Sequence, residues 1–242
     1  MIANTPNYGS RLRIGMLIPS VNTVAEPQMQ AFMPKGVSLH VSRLRLAGSS
    51  EEQLRAMAAN VEEGASLLAD AGVNLIAFHC TAVSMLSRAF MESIADRIQA
   101  ATGIRSTTTG HAVLEAFGRL GIRRISFITP YREETHRREL GFMRECGITI
   151  ASDAFMAVAS APEYAGKTPD ELFDFAALHA SRDAQACFFG CTAVRSSEII
   201  ERLEERLSMP VLTSNQVMAW HALRTCGVPD PISGYGELFS KF

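Results

Sequence analysis

The 242-residue sequence has almost no net charge: 23 Lys and Arg stand against 25 Asp and Glu, leaving −2. That excludes the basic footprint by which a domain holds nucleic acid. No apolar run approaches the roughly 18 residues of a membrane span, and Met1 to Arg13 lack the apolar core of a secretion signal. There is no C-x-x-C and no H-E-x-x-H, and the six histidines show no paired spacing, so no metal site is expected. Neither G-x-G-x-x-G nor a P-loop occurs, and nothing points to pyridoxal phosphate; the expected cofactor complement is none. The five cysteines are odd in number and form no disulfide framework, which implies reduced thiols and a cytoplasmic protein.

What is present is a repeat. Cys80-Thr81-Ala82-Val83 returns as Cys191-Thr192-Ala193-Val194, 111 positions later. The same offset relates Ile14-Gly15-Met16-Leu17-Ile18-Pro19 to Ile125-Ser126-Phe127-Ile128-Thr129-Pro130. Past the cysteines the offset drops to 106, pairing Thr107 with Thr213 and Gly121 with Gly227. A period this long marks duplication of half a fold, since solenoid repeats run roughly 20–50 residues.

Apolar runs at Arg13–Ile18, Val37–Leu44, Val73–Phe78 and Arg105–Thr107 read as strands, and Arg124–Thr129, Ile148–Ala151, Ala186–Phe189 and Pro210–Thr213 repeat them. Helical stretches alternate with them. Capping boxes at Ser50/Gln53 and Thr168/Glu171 open two, the first running to about Ala71; Met85–Ala101, Glu133–Cys146, Ser197–Leu207 and Gln216–Cys226 are others. Continuous apolar strands between helices indicate an α/β fold with mainly parallel sheets covered on both faces. We expect two pseudo-symmetric, intimately packed lobes with the active site in the cleft between them. Residues 13–122 with the tail 229–242 form the first lobe and 123–228 the second, and Met1–Ser10 form a loose polar tail.

Ligands of parallel α/β sheets bind at the carboxyl ends of strands, where both Cys80 and Cys191 fall. Each is expected to precede a helix, whose N–H groups lower a thiol pKa. Two thiols facing one small substrate can pass a proton across it, or one can attack while the other handles the proton. The N–H groups of Thr81, Ala82, Thr192 and Ala193 suit a carboxylate or an enolate-like oxygen. Cys146, Cys187 and Cys226 read as small core residues. His79 points away from the sulfur beside it and reads as structural. Arg43, Arg45 and Arg195 are read as solvated or ion-paired before they are read as anion partners. For Asn22, capping the next helix and binding a carboxylate weigh about evenly.

These residues resemble the aspartate/glutamate racemase superfamily, and within it the maleate cis-trans isomerase and arylmalonate decarboxylase group. The loop Pro19-Ser20-Val21-Asn22-Thr23-Val24-Ala25-Glu26-Pro27 is similar to the isomerases' P-S-x-N-T-x-x-E-P signature, Ser42-Arg43-Leu44-Arg45 to their S-R-M-R stretch, and the two cysteines to their pair. Tyr131 falls where they carry a substrate-binding tyrosine. The resemblance implies a cofactor-free isomerase, usually a dimer, acting on a small carboxylate or dicarboxylate. Cys80 would be the nucleophile and Cys191 the acid/base, with Pro19, Ser20, Asn22, Thr81, Ala82, Val83, Tyr131, Thr192 and Ala193 binding substrate. One departure stands out: Val158–Pro162 contains no asparagine where those isomerases carry a second substrate-binding one. A two-cysteine racemase or epimerase, a related decarboxylase, and a non-catalytic small-acid binder are the alternatives. The decarboxylases keep only the second cysteine, so Cys80 argues against that branch.

Overall fold

The computed structural model describes residues 7–242. In chain order the elements are β1 (Leu12–Pro19), α1 (Ala25–Ala31), β2 (Val37–Leu44), α2 (Glu51–Ala58), α3 (Val61–Asp70), β3 (Leu75–Phe78), α4 (Thr81–Ser84), α5 (Arg88–Thr102), β4 (Ser106–Thr108) and α6 (Thr109–Leu120). The second half continues with β5 (Arg124–Thr129), α7 (Glu133–Glu145), β6 (Thr149–Phe155), α8 (Ala161–Gly166), α9 (Pro169–His179), β7 (Ala186–Phe189), α10 (Ile200–Leu207), β8 (Val211–Thr213), α11 (Ser214–Thr225) and α12 (Glu237–Lys241). The strands form two four-stranded sheets with one topology, β2-β1-β3-β4 and β6-β5-β7-β8. Every pairing is parallel.

The apolar strands are buried on both faces, which is why they do not alternate with polar residues. Along β1, Ile14, Met16 and Ile18 enter one core while Leu17 enters another beneath α3. Along β5, Ile125 and Phe127 join that same first core while Ile128 turns to a third. One apolar core therefore runs through both halves, with α6 and α11 packed against each other inside it. The tail touches both halves: Tyr235 meets Phe32 edge-on, Phe239 packs against Phe32 at a tilt, and the Glu237 N–H donates to Glu204.

Several elements differ from the sequence reading. The helix expected from Ser50 to about Ala71 is two helices, because the Asn60 side chain donates to the Ala56 carbonyl and takes over its helical bond. The helix expected from Met85 begins at Arg88, capped by Ser87, whose hydroxyl accepts from the Phe90 N–H. The strand expected over Ile148–Ala151 runs on to Phe155, and α8 and α12 are additional helices. Of the tail expected over Met1–Ser10, the first six residues lie outside the described residues; Asn7 donates to the Val37 carbonyl at the edge of β2. Among the described residues, no helix is long and apolar enough to cross a membrane.

Candidate active site

In each sheet the chain leaves the first strand in one direction and returns on its other side. The crevice at such a switch point is where parallel sheets bind ligands. The turn after β1 and the turn after β3 flank it in the first half; those after β5 and β7 do so in the second. Cys80 and Cys191 follow β3 and β7. Both sulfurs line one cavity of about 340 Å³.

Cys80 is extended (φ −151°, ψ 111°) and opens the single turn α4; its side chain caps no N–H there, though the nearby Val83 and Ala82 N–H groups favour its thiolate. Cys191 differs from expectation. No α-helix follows it directly; Thr192–Arg195 turns tightly into a 3₁₀ helix at Ser196–Ile199. Its sulfur accepts from the Ala193 N–H at 3.3 Å, and the neighbouring Tyr131 side chain also favours its thiolate.

The expectation of a lowered thiol pKa is overturned at both positions. Burial pushes Cys80 and Cys191 up to about 12, against the opposing pull of these donors. A few N–H groups do not replace the hydration that a thiolate loses on burial. The site therefore holds two thiols.

Of the expected binding residues, Pro19, Asn22, Ala82, Tyr131, Thr192 and Ala193 line the cavity. Three do not. Ser20 is exposed and its hydroxyl accepts from the Leu46 N–H, Thr81 donates to the Ser214 hydroxyl, and the Val83 side chain is buried in the first-half core. Sequence reasoning missed Leu46–Ser49, Leu54, Thr135 and Tyr164, which complete the wall. Their periodic patterns mark helices and turns, and nothing local shows that they converge. Much of the wall is apolar, from Leu46, Ala47, Leu54, Ala159, Ala161 and Pro162, and no lysine or arginine lines it.

Of the two roles weighed for Asn22, the cap is formed. Its Oδ1 accepts from the Val24 and Ala25 N–H groups at 2.9 Å each, which caps α1. Its Nδ2 donates to the Thr192 hydroxyl at 2.9 Å, leaving one amide hydrogen on the cavity side. Arg43 holds this loop by donating to the Asn22 carbonyl (2.8 Å) and pairing with Glu26 (2.7 Å), while Arg195 pairs with Glu198. His79 is structural, as read: its Nδ1 meets the Thr109 hydroxyl and its Nε2 meets Asn215 Oδ1, and burial lowers its pKa to about 4.

A sequence profile of the arylmalonate decarboxylase family matches residues 14–239. The maleate isomerase of Nocardia farcinica is 28% identical over 245 residues, covering 95% of this chain and 96% of the relative. The arylmalonate decarboxylase of Bordetella bronchiseptica is 25% identical over 232 residues, covering 94% and 96%. Among solved structures, the maleate isomerase of Pseudomonas putida S16 with maleate superposes with a TM-score of 0.91 at 22% identity, covering 95% of this chain and 97% of that one. A Nocardia farcinica maleate cis-trans isomerase variant with a covalently bound succinylcysteine intermediate superposes at 0.88 and 23% identity, covering 95% and 98%.

Proposed function

This chain belongs to the arylmalonate decarboxylase family, and from that premise we propose that it is a cofactor-independent cis-trans isomerase of a small unsaturated carboxylate, working through Cys80 and Cys191. The observation that carries the reading is that both sulfurs, one from each half, line one cavity. The related Nocardia isomerase, with its succinylcysteine, supports covalent addition as the route. The Cys80 thiol first gives its proton to solvent, and the thiolate adds to one alkene carbon and forms a C–S bond; that proton returns when Cys80 leaves. The π electrons take the proton of the Cys191 thiol at the other carbon, which makes a saturated thioether. The former double bond is now single and rotates. Cys191 thiolate then removes a proton from the same carbon, the alkene re-forms as the C–S bond breaks, and Cys80 leaves as thiolate. The proton inventory returns to its start.

The wall divides the substrate's two ends. The remaining Asn22 amide hydrogen and the Thr192 hydroxyl supply polar groups to one carboxylate. Ser160 stands on the wall where related isomerases carry an asparagine, but its hydroxyl donates to Glu163 at 2.7 Å and is already satisfied. The other end of the substrate therefore meets a largely apolar surface. We further place the protein in the cytoplasm as a homodimer without nucleic acid or membrane partners, on the strength of its free thiols and its family.

Proton NMR of a panel of small acids in deuterium oxide tests the reaction. Isomerisation replaces the cis vinyl signals with trans ones. Deuterium entering at a stereocentre without isomerisation would make it a racemase, loss of carbon dioxide would make it a decarboxylase, and binding without change would make it a binder.

Asn22→Asp separates the two roles of that residue. Aspartate caps α1 equally well but sets a negative charge against the substrate's own. Substrate affinity should drop about tenfold or more, since ~1.4 kcal/mol suffices for that. An unchanged KM in a variant with the parent melting temperature would leave Asn22 with capping alone.

A further inference from the structure

Behind the two sulfurs lies a carboxyl that the reaction above does not use. Glu139 on α7 is 1% exposed, and neither of its oxygens has a hydrogen-bond partner among the described residues. Thr135, one turn earlier on the same helix, is on the cavity wall. The Glu139 carboxyl sits against Gly190, the residue before Cys191: a Cβ there would lie 3.3 Å from Oε2 and 2.9 Å from the Phe127 ring. A glutamine, leucine or methionine would fill this space without an unsatisfied acid, so the carboxyl calls for an explanation.

Its surroundings supply one. A charge on Glu139 acts on Cys80 beyond β3, on Cys191 beyond β7, on Tyr131 beyond β5 and on Tyr164 of α8, raising the pKa of each. The one charged group acting on Glu139 in return is its neighbour Arg138, whose guanidinium donates instead to the Ser49 carbonyl and the Thr135 hydroxyl. Burial holds the Glu139 carboxyl well above the usual carboxylate range, which favours its protonated form.

We propose that Glu139 is a positioning residue that governs the ionisation of the Cys80–Cys191 pair. Protonated, it adds no negative charge beside the two sulfurs and leaves a thiolate free to form. Ionised, it sets a negative charge behind Gly190 and suppresses the thiolate by like-charge repulsion. This rests on the reading of Cys80 and Cys191 as the working sulfurs, but not on any particular substrate.

Glu139→Gln keeps the shape and removes the ionisable proton. Iodoacetamide alkylation of Cys80 and Cys191, followed by peptide mass spectrometry from pH 6 to 10.5, reads the thiolates without substrate. The two proteins should react alike at low pH. Once Glu139 ionises, the parent should fall behind the variant, reaching about a tenfold gap for one pKa unit of repulsion. Superposable profiles, or no alkylation of either sulfur in either protein, would overturn the proposal.

Thermal melts give a second readout. The folded carboxyl holds its proton more tightly than the unfolded one. Its contribution to stability is thus complete below the unfolded carboxylate range and is lost as pH rises through the raised folded value. The parent's Tm should fall more steeply with rising pH than that of Glu139→Gln, and parallel curves would count against the proposal. Diverging alkylation profiles in a protein that isomerises no acid would sink the proposed reaction and leave this inference standing.

Discussion

Cys80→Ser should abolish both turnover and any covalent adduct, with a loss of about 10⁴-fold or more. Serine fits the cavity but supplies no thiolate-like nucleophile. Cys191→Ser should slow turnover by roughly 10²–10⁴-fold, the scale of losing a positioned proton donor, while an adduct accumulates at Cys80. The repeat makes the two positions equivalent in the fold; their surroundings make them unequal. Cys80 opens α4, and the Val83 and Ala82 N–H groups of that turn favour charge at its sulfur. Cys191 receives the Ala193 N–H and lies beside Tyr131, whose hydroxyl can rotate as a proton comes and goes. Intact-mass spectrometry of each variant with substrate reads the outcome. An adduct on Cys191 and none on Cys80 would reverse the assignment. No adduct anywhere, with deuterium exchange that needs both sulfurs, would indicate a two-base racemase.

The parts of the fold that were legible in the sequence are those written locally or written twice. The 111-residue offset maps β1 onto β5 and β3 onto β7, and each cysteine stands just past its strand. The boxes at Ser50/Gln53 and Thr168/Glu171 are formed with both reciprocal hydrogen bonds. The thiol pKa values were not legible. The local rule, a strand end meeting a helix start, captures the donors but not the burial that outweighs them. Glu139 was missed for the same reason. On an isolated helix it reads as one of several exposed acids, and only the packing of α7 on Gly190 shows it buried. The cavity wall from Leu46 to Ser49 depends on the return path after β2, which no periodicity encodes. Asn215 and Gln28 likewise look like ordinary helical polar residues until the halves come together.

That last pair supports the second large effect: Asn215→Ala should destabilise the fold by roughly 3–5 kcal/mol, lowering Tm by about 10 °C for a chain of this size. Asn215 is fully buried in the first turn of α11. Its Nδ2 donates to Gln28 Oε1 at 2.7 Å and to the Thr192 carbonyl at 3.2 Å, so its Oδ1 must accept from His79 Nε2 at 2.7 Å. His79 is therefore the Nε2–H tautomer, with Nδ1 accepting from Thr109. At the 106-residue offset Thr109 is the counterpart of Asn215, so equivalent positions in the two halves clasp one imidazole between them. Alanine leaves the His79 N–H, a Gln28 oxygen and the Thr192 carbonyl facing an apolar interior. Thr192 also holds Asn22, so kcat should fall with stability. A cycle with His79→Leu distinguishes a shared network from separate contacts. Once the imidazole is gone, losing Asn215 should cost about 0.5–3 kcal/mol less than it does in the parent. Additive losses would mean that the two residues stabilise the halves independently, and that the clasp between them carries no coupling.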